Sequence, residues 1–286
     1  DWWSSFGHKG LSWDSGADGG TETSPYSNAL PDVLAKSRAL ELVNDAFDNS
    51  TGQNWLASTA LNGTPGTANS VAAPDIAPVI RDVAHFPLVP KSTEPVFVTA
   101  RVTDDLGAAL TVQARWRVDG GGAFSLETMA DDGAHGDVLA GDGIYGASLP
   151  VQASGTIVEF YVSASDGALT RAWPAPVYGD DAALTPAQTA NCLYQVDDTV
   201  YAGAMPLYRL IMKAADKTEL AFINSGGTGG AHPYPFYTGE SADQTFSHAR
   251  FNATFVSVDG TGTGMRYRVG VRNRGNGSRS RQPQGL

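Results

Sequence analysis

The stretch TVQARWRV, residues 111–118, decides the fold, because apolar and polar side chains alternate along it. The same alternation runs through PVFVTARV, residues 95–102, and IVEFYVSAS, residues 157–165. Successive side chains of a strand point to opposite faces, so a period of two is typical of strands with one buried face. Several such runs, separated by turns rich in Asp and Gly, predict an immunoglobulin- or fibronectin-type β-sandwich over residues 72–181.

The composition supports a mainly β, multidomain chain. Its 286 residues are 42% hydrophobic and 17% charged, and the formal net charge is −11. A chain of this kind can bury a core and is not disordered by composition, and its acidity argues against nucleic acid as a partner. The single cysteine, Cys192, cannot form an intrachain disulfide. No apolar run reaches the roughly 18 residues that span a bilayer, so we expect no membrane span in this chain.

A loop rich in Asp and Gly lies inside the predicted sandwich. Residues 131–145 read DDGAHGDVLAGDGIY. Glycines let such a loop fold tightly, so its carboxylates could converge on a hard cation such as Ca²⁺. The candidate ligands are Asp131, Asp132, Asp137 and Asp142. The alternative is that these side chains accept hydrogen bonds from turn backbone and bind no metal.

Residues 1–71 form the first predicted segment. RALELVN, residues 38–44, predicts a short strand with Leu40 and Leu42 on one face, and GTPG, residues 63–66, predicts a turn. Together with the closing GTPGTAN, this stretch resembles the C-terminal part of a bacterial lamin-tail domain, an immunoglobulin-like sandwich. The resemblance implies that the front strands of that domain are not in this segment.

Residues 182–286 form the third predicted segment. PLYRLIM, residues 206–212, predicts a strand, and Asp216 with Glu219 predicts a capped helix start. A hairpin follows, from ARFNATFVSV, residues 249–258, to MRYRVGVRNRG, residues 265–275. Strict alternation along its second strand predicts an apolar face and an opposite face of arginines. The apolar face would hold Met265, Tyr267, Val269 and Val271, and the other Arg266, Arg268, Arg272 and Arg274.

A row of guanidinium groups suits phosphate or carboxylate, which arginine can grip with two parallel hydrogen bonds. The alternative is that these arginines remain solvated or pair with nearby acids at little energetic gain.

Residues 190–286, and RVGVRNRGNGSR above all, resemble the beginning of the spore-coat CotH kinase-like family. The resemblance implies a truncated α+β kinase-like N-terminal lobe, with ATP and Mg²⁺ used by the full-length parent. It implies that a phosphate-contacting stretch is formed by Arg272, Arg274, Gly275, Asn276 and Ser278. Gly277 stands where that family commonly has Ser, and the family's catalytic acids lie farther downstream than residue 286. Without them we expect this chain to be inactive in phosphoryl transfer.

These resemblances together predict immunoglobulin-like β-sandwiches followed by the truncated lobe. The chain would be a non-catalytic fragment of a modular bacterial protein, secreted or on the cell surface, with a kinase-like parent. The alternative is an adhesive or carbohydrate-binding surface protein. Surface proteins or glycans are the partners that either interpretation favours.

Overall fold

The computed structural model describes residues 38–107, 109–178, 186–201, 203, 205–223, 251–258 and 263–271. The chain divides into two compact units, residues 1–202 and 203–286. No helix within these described ranges has both the length and the apolarity that crossing a bilayer requires.

The first unit begins with an antiparallel strand pair, β1 (Arg38–Leu42) and β2 (Trp55–Leu61), with a 3₁₀ turn at Gly52–Asn54 before β2. The predicted strand at 38–44 is therefore present, and Glu41 rather than Leu40 lies on its buried side. Glu41 is 5% exposed, whereas Leu40 is 43% exposed. The Glu41 carboxylate accepts hydrogen bonds from Thr64 Oγ1 at 2.6 Å and from the amide and hydroxyl of Ser70, each at 2.7 Å. A buried carboxylate is tolerated when it is hydrogen-bonded in this way.

The immunoglobulin-like sandwich occupies most of the rest of the first unit. Its strands are β3 (Val79–Phe86), β4 (Val96–Thr103), β5 (Thr111–Val118), β6 (Ser125–Met129), β7 (Ile144–Leu149), β8 (Ile157–Ser165), β9 (Thr170–Trp173), β10 (Val177–Tyr178), β11 (Pro186–Ala187) and β12 (Cys192–Gln195). One sheet has the order β3-β4-β7, and the other has the order β12-β8-β5-β6, with β9 also paired to β8. β10 and β11 form a separate short pair.

The alternating patterns form the core between these sheets. The buried side chains include Val96, Val98, Ala100 and Val102 of β4, Val112 and Ala114 of β5, and Val158, Phe160, Val162 and Ala164 of β8. β12 adds Cys192, Leu193 and Tyr194, all fully buried. Because β12 pairs with β8, the sandwich continues past residue 181, where the sequence pattern placed its end.

The second unit contains β13 (Leu207–Ile211), α1 (Ala214–Ile223), β14 (Phe251–Val258) and β15 (Thr263–Val271). The strands form an antiparallel sheet in the order β13-β14-β15, so the predicted hairpin is present. Met212, Phe251 and Ala253 are buried together, and Leu220, Val269 and Val271 pack against them. The helix begins at Ala214, so Asp216 lies within its first turn rather than at the predicted cap.

Candidate metal centre in the loop between β6 and β7

The two ends of the acidic loop are hydrogen-bonded to each other where they join the sandwich. Ala130 and Gly146 donate their amides to each other's carbonyl oxygens at 2.9 and 2.8 Å, which ties the two ends of the loop together. The loop then folds over β4, where a Cβ on Gly136 would lie 3.0 Å from Cβ of Phe97. His135 and Gly136 have φ values of 56° and 91°. Glycine adopts such angles at no steric cost, which explains its use here, and His135 lies in the same turn.

Three carboxylates meet inside this loop. One ligand oxygen from each of Asp131, Asp137 and Asp142 lies within 4.8 Å of the other two. Oxygens bound to one Ca²⁺ stand about 2.3–2.6 Å from the ion and therefore about 5 Å or less from one another. The spacing of these three oxygens fits a calcium ion.

The same carboxylates also organise the loop backbone. Asp131 accepts amide hydrogen bonds from Gly141 at 2.5 Å and Gly143 at 2.9 Å. Asp137, which is 3% exposed, accepts from Gly133 at 2.6 Å and Leu139 at 3.2 Å. The turn-capping function considered for these residues is thus present. Each carboxylate oxygen offers two lone pairs, so capping leaves positions for a cation.

Asp132 stands apart from the other three. Its Oδ1 accepts the Ala134 amide at 2.9 Å and lies 3.7 Å from Nδ1 of His135. The structure does not bring it into the group of oxygens within 4.8 Å. Of the four predicted ligands, three converge and Asp132 serves a turn.

The pKa of Tyr145 responds to the negative charge of the loop. Burial raises the pKa of its phenol, and the negative charge of Asp131 raises it further. A cation bound to Asp131 would offset this negative charge and would thereby lower the pKa of the Tyr145 phenol.

The arginine strand differs from the prediction. Phe255 lies opposite Arg266 and Ala253 lies opposite Val269, so two steps along β14 match three along β15. The extra residue forms a bulge, and Arg268 within it has a φ of 55°. Directly opposed residues share a face of the sheet, so Arg266 lies on the same face as Val269. The expectation that these residues occupy opposite faces was wrong.

Met265 is also on the other face from Val269, because it lies opposite Val256. All five predicted residues of the phosphate-contacting stretch lie outside the described residues: Arg272, Arg274, Gly275, Asn276 and Ser278. The described part of β15 therefore presents no uninterrupted row of arginines.

Sequence reasoning missed the residues that join β1 and β2 to the sandwich. Arg171 of β9 donates to the carbonyl oxygens of Pro78 at 2.9 Å and Gln53 at 2.8 Å. Gln53 in turn exchanges two hydrogen bonds with the backbone of Ile80, at 2.6 and 3.0 Å. These partners are separated by up to 118 positions in the chain, so no local sequence signal indicates them.

Comparison with known proteins agrees with this architecture. Residues 97–164 match the family described as the conditioned medium factor 2nd Ig-like domain. The match runs from β4 to β8 and includes the acidic loop. No curated protein gives a significant match. Fold and comparison together define an immunoglobulin-like β-sandwich module within a multidomain chain.

Proposed function

We propose that this chain is part of a secreted or cell-surface multidomain protein, and that its sandwich is a non-catalytic spacer and binding module that holds Ca²⁺ in the acidic loop. The observation that carries the proposal is the convergence of Asp131, Asp137 and Asp142 within 4.8 Å. Three carboxylates so close repel one another, and a divalent cation would offset that repulsion.

The expected affinity suits an extracellular setting. Calcium sites of extracellular modules bind with dissociation constants on the order of 10⁻⁴–10⁻³ M. The ion would fix the loop over β4 and with it the loop tip, where Val138 and Leu139 are 91% and 64% exposed. These two apolar side chains offer a partner protein a contact whose geometry depends on the ion.

Calorimetric titration of the purified chain with CaCl₂ tests the proposal. Asp142→Asn removes one converging carboxylate while its amide oxygen can still accept the Ile144 amide, a bond of 2.9 Å in the native loop. We expect this variant to bind Ca²⁺ at least tenfold more weakly. Asp132→Asn is the matched control, since it removes the same charge from the same loop outside the converging group. Equal affinities for the two variants would contradict the proposal.

For the second unit we propose the kinase-like lobe of a larger parent protein, without phosphoryl transfer by this chain. The proposal is supported by the resemblance of residues 190–286 and by an antiparallel β13-β14-β15 sheet with α1 after its first strand. Incubation with Mg²⁺ and radiolabelled ATP should leave the chain and a casein acceptor unlabelled. Incorporation of label would overturn the non-catalytic assignment, and calcium-dependent retention on immobilised glycans would favour the carbohydrate-binding alternative.

A further inference from the structure

Arg171 is a half-buried cation that has no acidic partner among the described residues. Its Nε donates to the carbonyl oxygen of Pro78 at 2.9 Å, and its Nη2 donates to those of Gln53 at 2.8 Å and Ala77 at 3.2 Å. Three other arginines of the first unit each form an ion pair with an acid: Arg81 with Asp48, Arg101 with Asp82 and Arg117 with Glu159. The groups that the structure places around the Arg171 charge are therefore neutral.

Two N–H donors of Arg171 are left without an acceptor in the part of the chain that the structure describes. An arginine has five such donors, and two of them belong to Nη1. The hydrogen bonds of Arg171 use Nε and Nη2, and none uses Nη1. Burial lowers the pKa of the guanidinium to about 10, so the charged form is disfavoured in these surroundings. An anion that reaches Nη1 would stabilise that charge.

An open cavity of about 220 Å³ gives a ligand access to Arg171, which lines it. Trp173 of β9, together with Ala175 and Pro176 after it, forms an apolar wall of the same cavity. Of the described residues that line it, Arg171 is the only charged one. Cavities that hold drug-sized ligands have volumes of roughly 300–1,000 Å³, so this one suits a smaller molecule. Its chemistry combines one positive charge with an adjoining apolar surface.

We propose that this cavity binds a small organic monocarboxylate, whose oxygens accept hydrogen bonds from Nη1 of Arg171 and whose apolar part packs on Trp173. Arginine suits both carboxylate and phosphate. The cavity offers a single positive charge in a chain whose formal net charge is −11, so it compensates a monoanion and leaves a phosphate dianion partly uncompensated. The apolar wall favours an organic acid over a simple inorganic anion.

Nuclear magnetic resonance of the ¹⁵N-labelled full chain tests the site with sodium benzoate as the probe, in calcium-free buffer so that the result is independent of the acidic loop. Trp173 supplies an indole N–H signal from the cavity wall, and Trp116 of β5 supplies one from outside it. We expect a saturable shift of the Trp173 signal alone, with a dissociation constant on the order of 1 mM, in keeping with the modest binding energy per atom of small ligands. Benzamide, which has the same shape without the charge, should bind at least tenfold more weakly. Sodium chloride at equal ionic strength controls for screening.

Two variants locate the probe. Ala175→Leu narrows the cavity without removing a hydrogen bond of Arg171 and should weaken benzoate binding at least tenfold, whereas Ala168→Leu, the same change at an exposed position outside the cavity wall, should bind as the native chain does. Arg171→Gln removes the charge and should also lose binding; where its urea unfolding curve shows no folded state, Ala175→Leu alone decides.

Three results would overturn the proposal: an unmoved Trp173 signal in the native chain, equal affinities for benzoate and benzamide, or native affinity in Ala175→Leu. Inorganic phosphate at pH 8 that binds more tightly than benzoate would overturn the choice of a monocarboxylate as the ligand.

Discussion

His85 is an imidazole that the fold keeps neutral. It is 2% exposed, its ring centroid lies 5.1 Å from that of Tyr194 and 6.0 Å from that of Phe160, and its Nε2 lies 3.2 Å from the Leu88 carbonyl oxygen. Burial lowers the pKa of His85 to about 4, although the hydrogen bond with Leu88 opposes that change. The ordinary histidine pKa is about 6.5, so the unfolded chain takes up this proton more readily than the folded one.

The stability of the sandwich should consequently depend on His85 in acid. Because the folded pKa is lowered, the stabilisation is complete above pH 6.5 and is lost as the pH falls from about 6.5 to about 4. The full loss is about 3 kcal/mol, from 1.36 kcal/mol for each unit of pKa difference. Urea unfolding at pH 7 and pH 4.5 measures it. His85→Phe keeps the ring contacts and should show a smaller difference between the two pH values; an unchanged difference would exclude His85 as the cause.

The burial of Glu41 shows what a local pattern cannot reveal about a single residue. Alternation in RALELVN correctly predicted a strand, but it did not show that the face carrying Glu41 is the buried one. The partners that stabilise the Glu41 carboxylate, Thr64 and Ser70, lie 23 and 29 positions away. They are recognisable only once the chain has folded back on itself. The pKa of Glu41 is lowered, chiefly by the hydrogen bond from Thr64.

At the scale of elements, Gly146 on β7 allows the acidic loop to pack closely against this strand. A Cβ at this position would lie 2.6 Å from the carbonyl oxygen of His135 and 3.1 Å from the amide nitrogen of Asp137. Both contacts are with backbone, which cannot move aside as a flexible side chain would. The close approach of strand and loop therefore requires glycine here.

We expect Gly146→Ala to displace the loop and weaken calcium binding at least tenfold. The same substitution should lower the free energy of unfolding by about 1–3 kcal/mol, the range for overpacking a tight site. Calorimetric titration and urea unfolding measure the two effects. Ser148→Ala, two positions along the same strand, is the control and should change neither by a comparable amount. A Gly146→Ala variant with native affinity would contradict the role given to this contact.

Alternation predicted β4, β5 and β8 because none of these strands carries an extra residue that would shift its apolar positions to the other face. β4, β5 and β8 place their apolar positions in the core in this way. The alternation rule failed on β15, where the bulge at Arg268 shifts the pattern of inward and outward side chains by one residue. Arginine is not a residue that favours a positive φ, so nothing in MRYRVGV indicated the bulge. The three converging aspartates were predictable because one short glycine-rich loop carries them all.

At the scale of the whole molecule, the first unit joins two parts of the sequence that looked like separate domains. The boundary near residue 71 followed from turn and proline chemistry, which marks the ends of elements but not which elements share an interface. In the structure, Val43, Ile76 and Val79 form one buried cluster across that boundary.

Arg171 is the polar centre of the contact between the β1–β2 segment and the sandwich. Burial lowers the pKa of its guanidinium to about 10, and its hydrogen bonds go to the carbonyl oxygens of Gln53, Ala77 and Pro78. Burying a guanidinium group is costly unless its N–H groups find acceptors. The β1–β2 segment supplies such an acceptor, so its loss would leave Arg171 partly unpaired and would destabilise the sandwich. The two parts should consequently unfold together.

Arg171→Ala should break that coupling. We expect a loss of about 3 kcal/mol in the free energy of unfolding, since each hydrogen bond to a charged group contributes about 1.5–3 kcal/mol. Limited proteolysis read by mass spectrometry should then find early cleavage between residues 62 and 78, because the segment leading to β3 is released before the sandwich unfolds. Arg115→Ala removes an arginine from the middle of β5, away from the contacts of Arg171, and should leave that segment protected. Equal protection in the two variants would mean that apolar packing around Val43 and Ile76 holds the β1–β2 segment on the sandwich without help from Arg171.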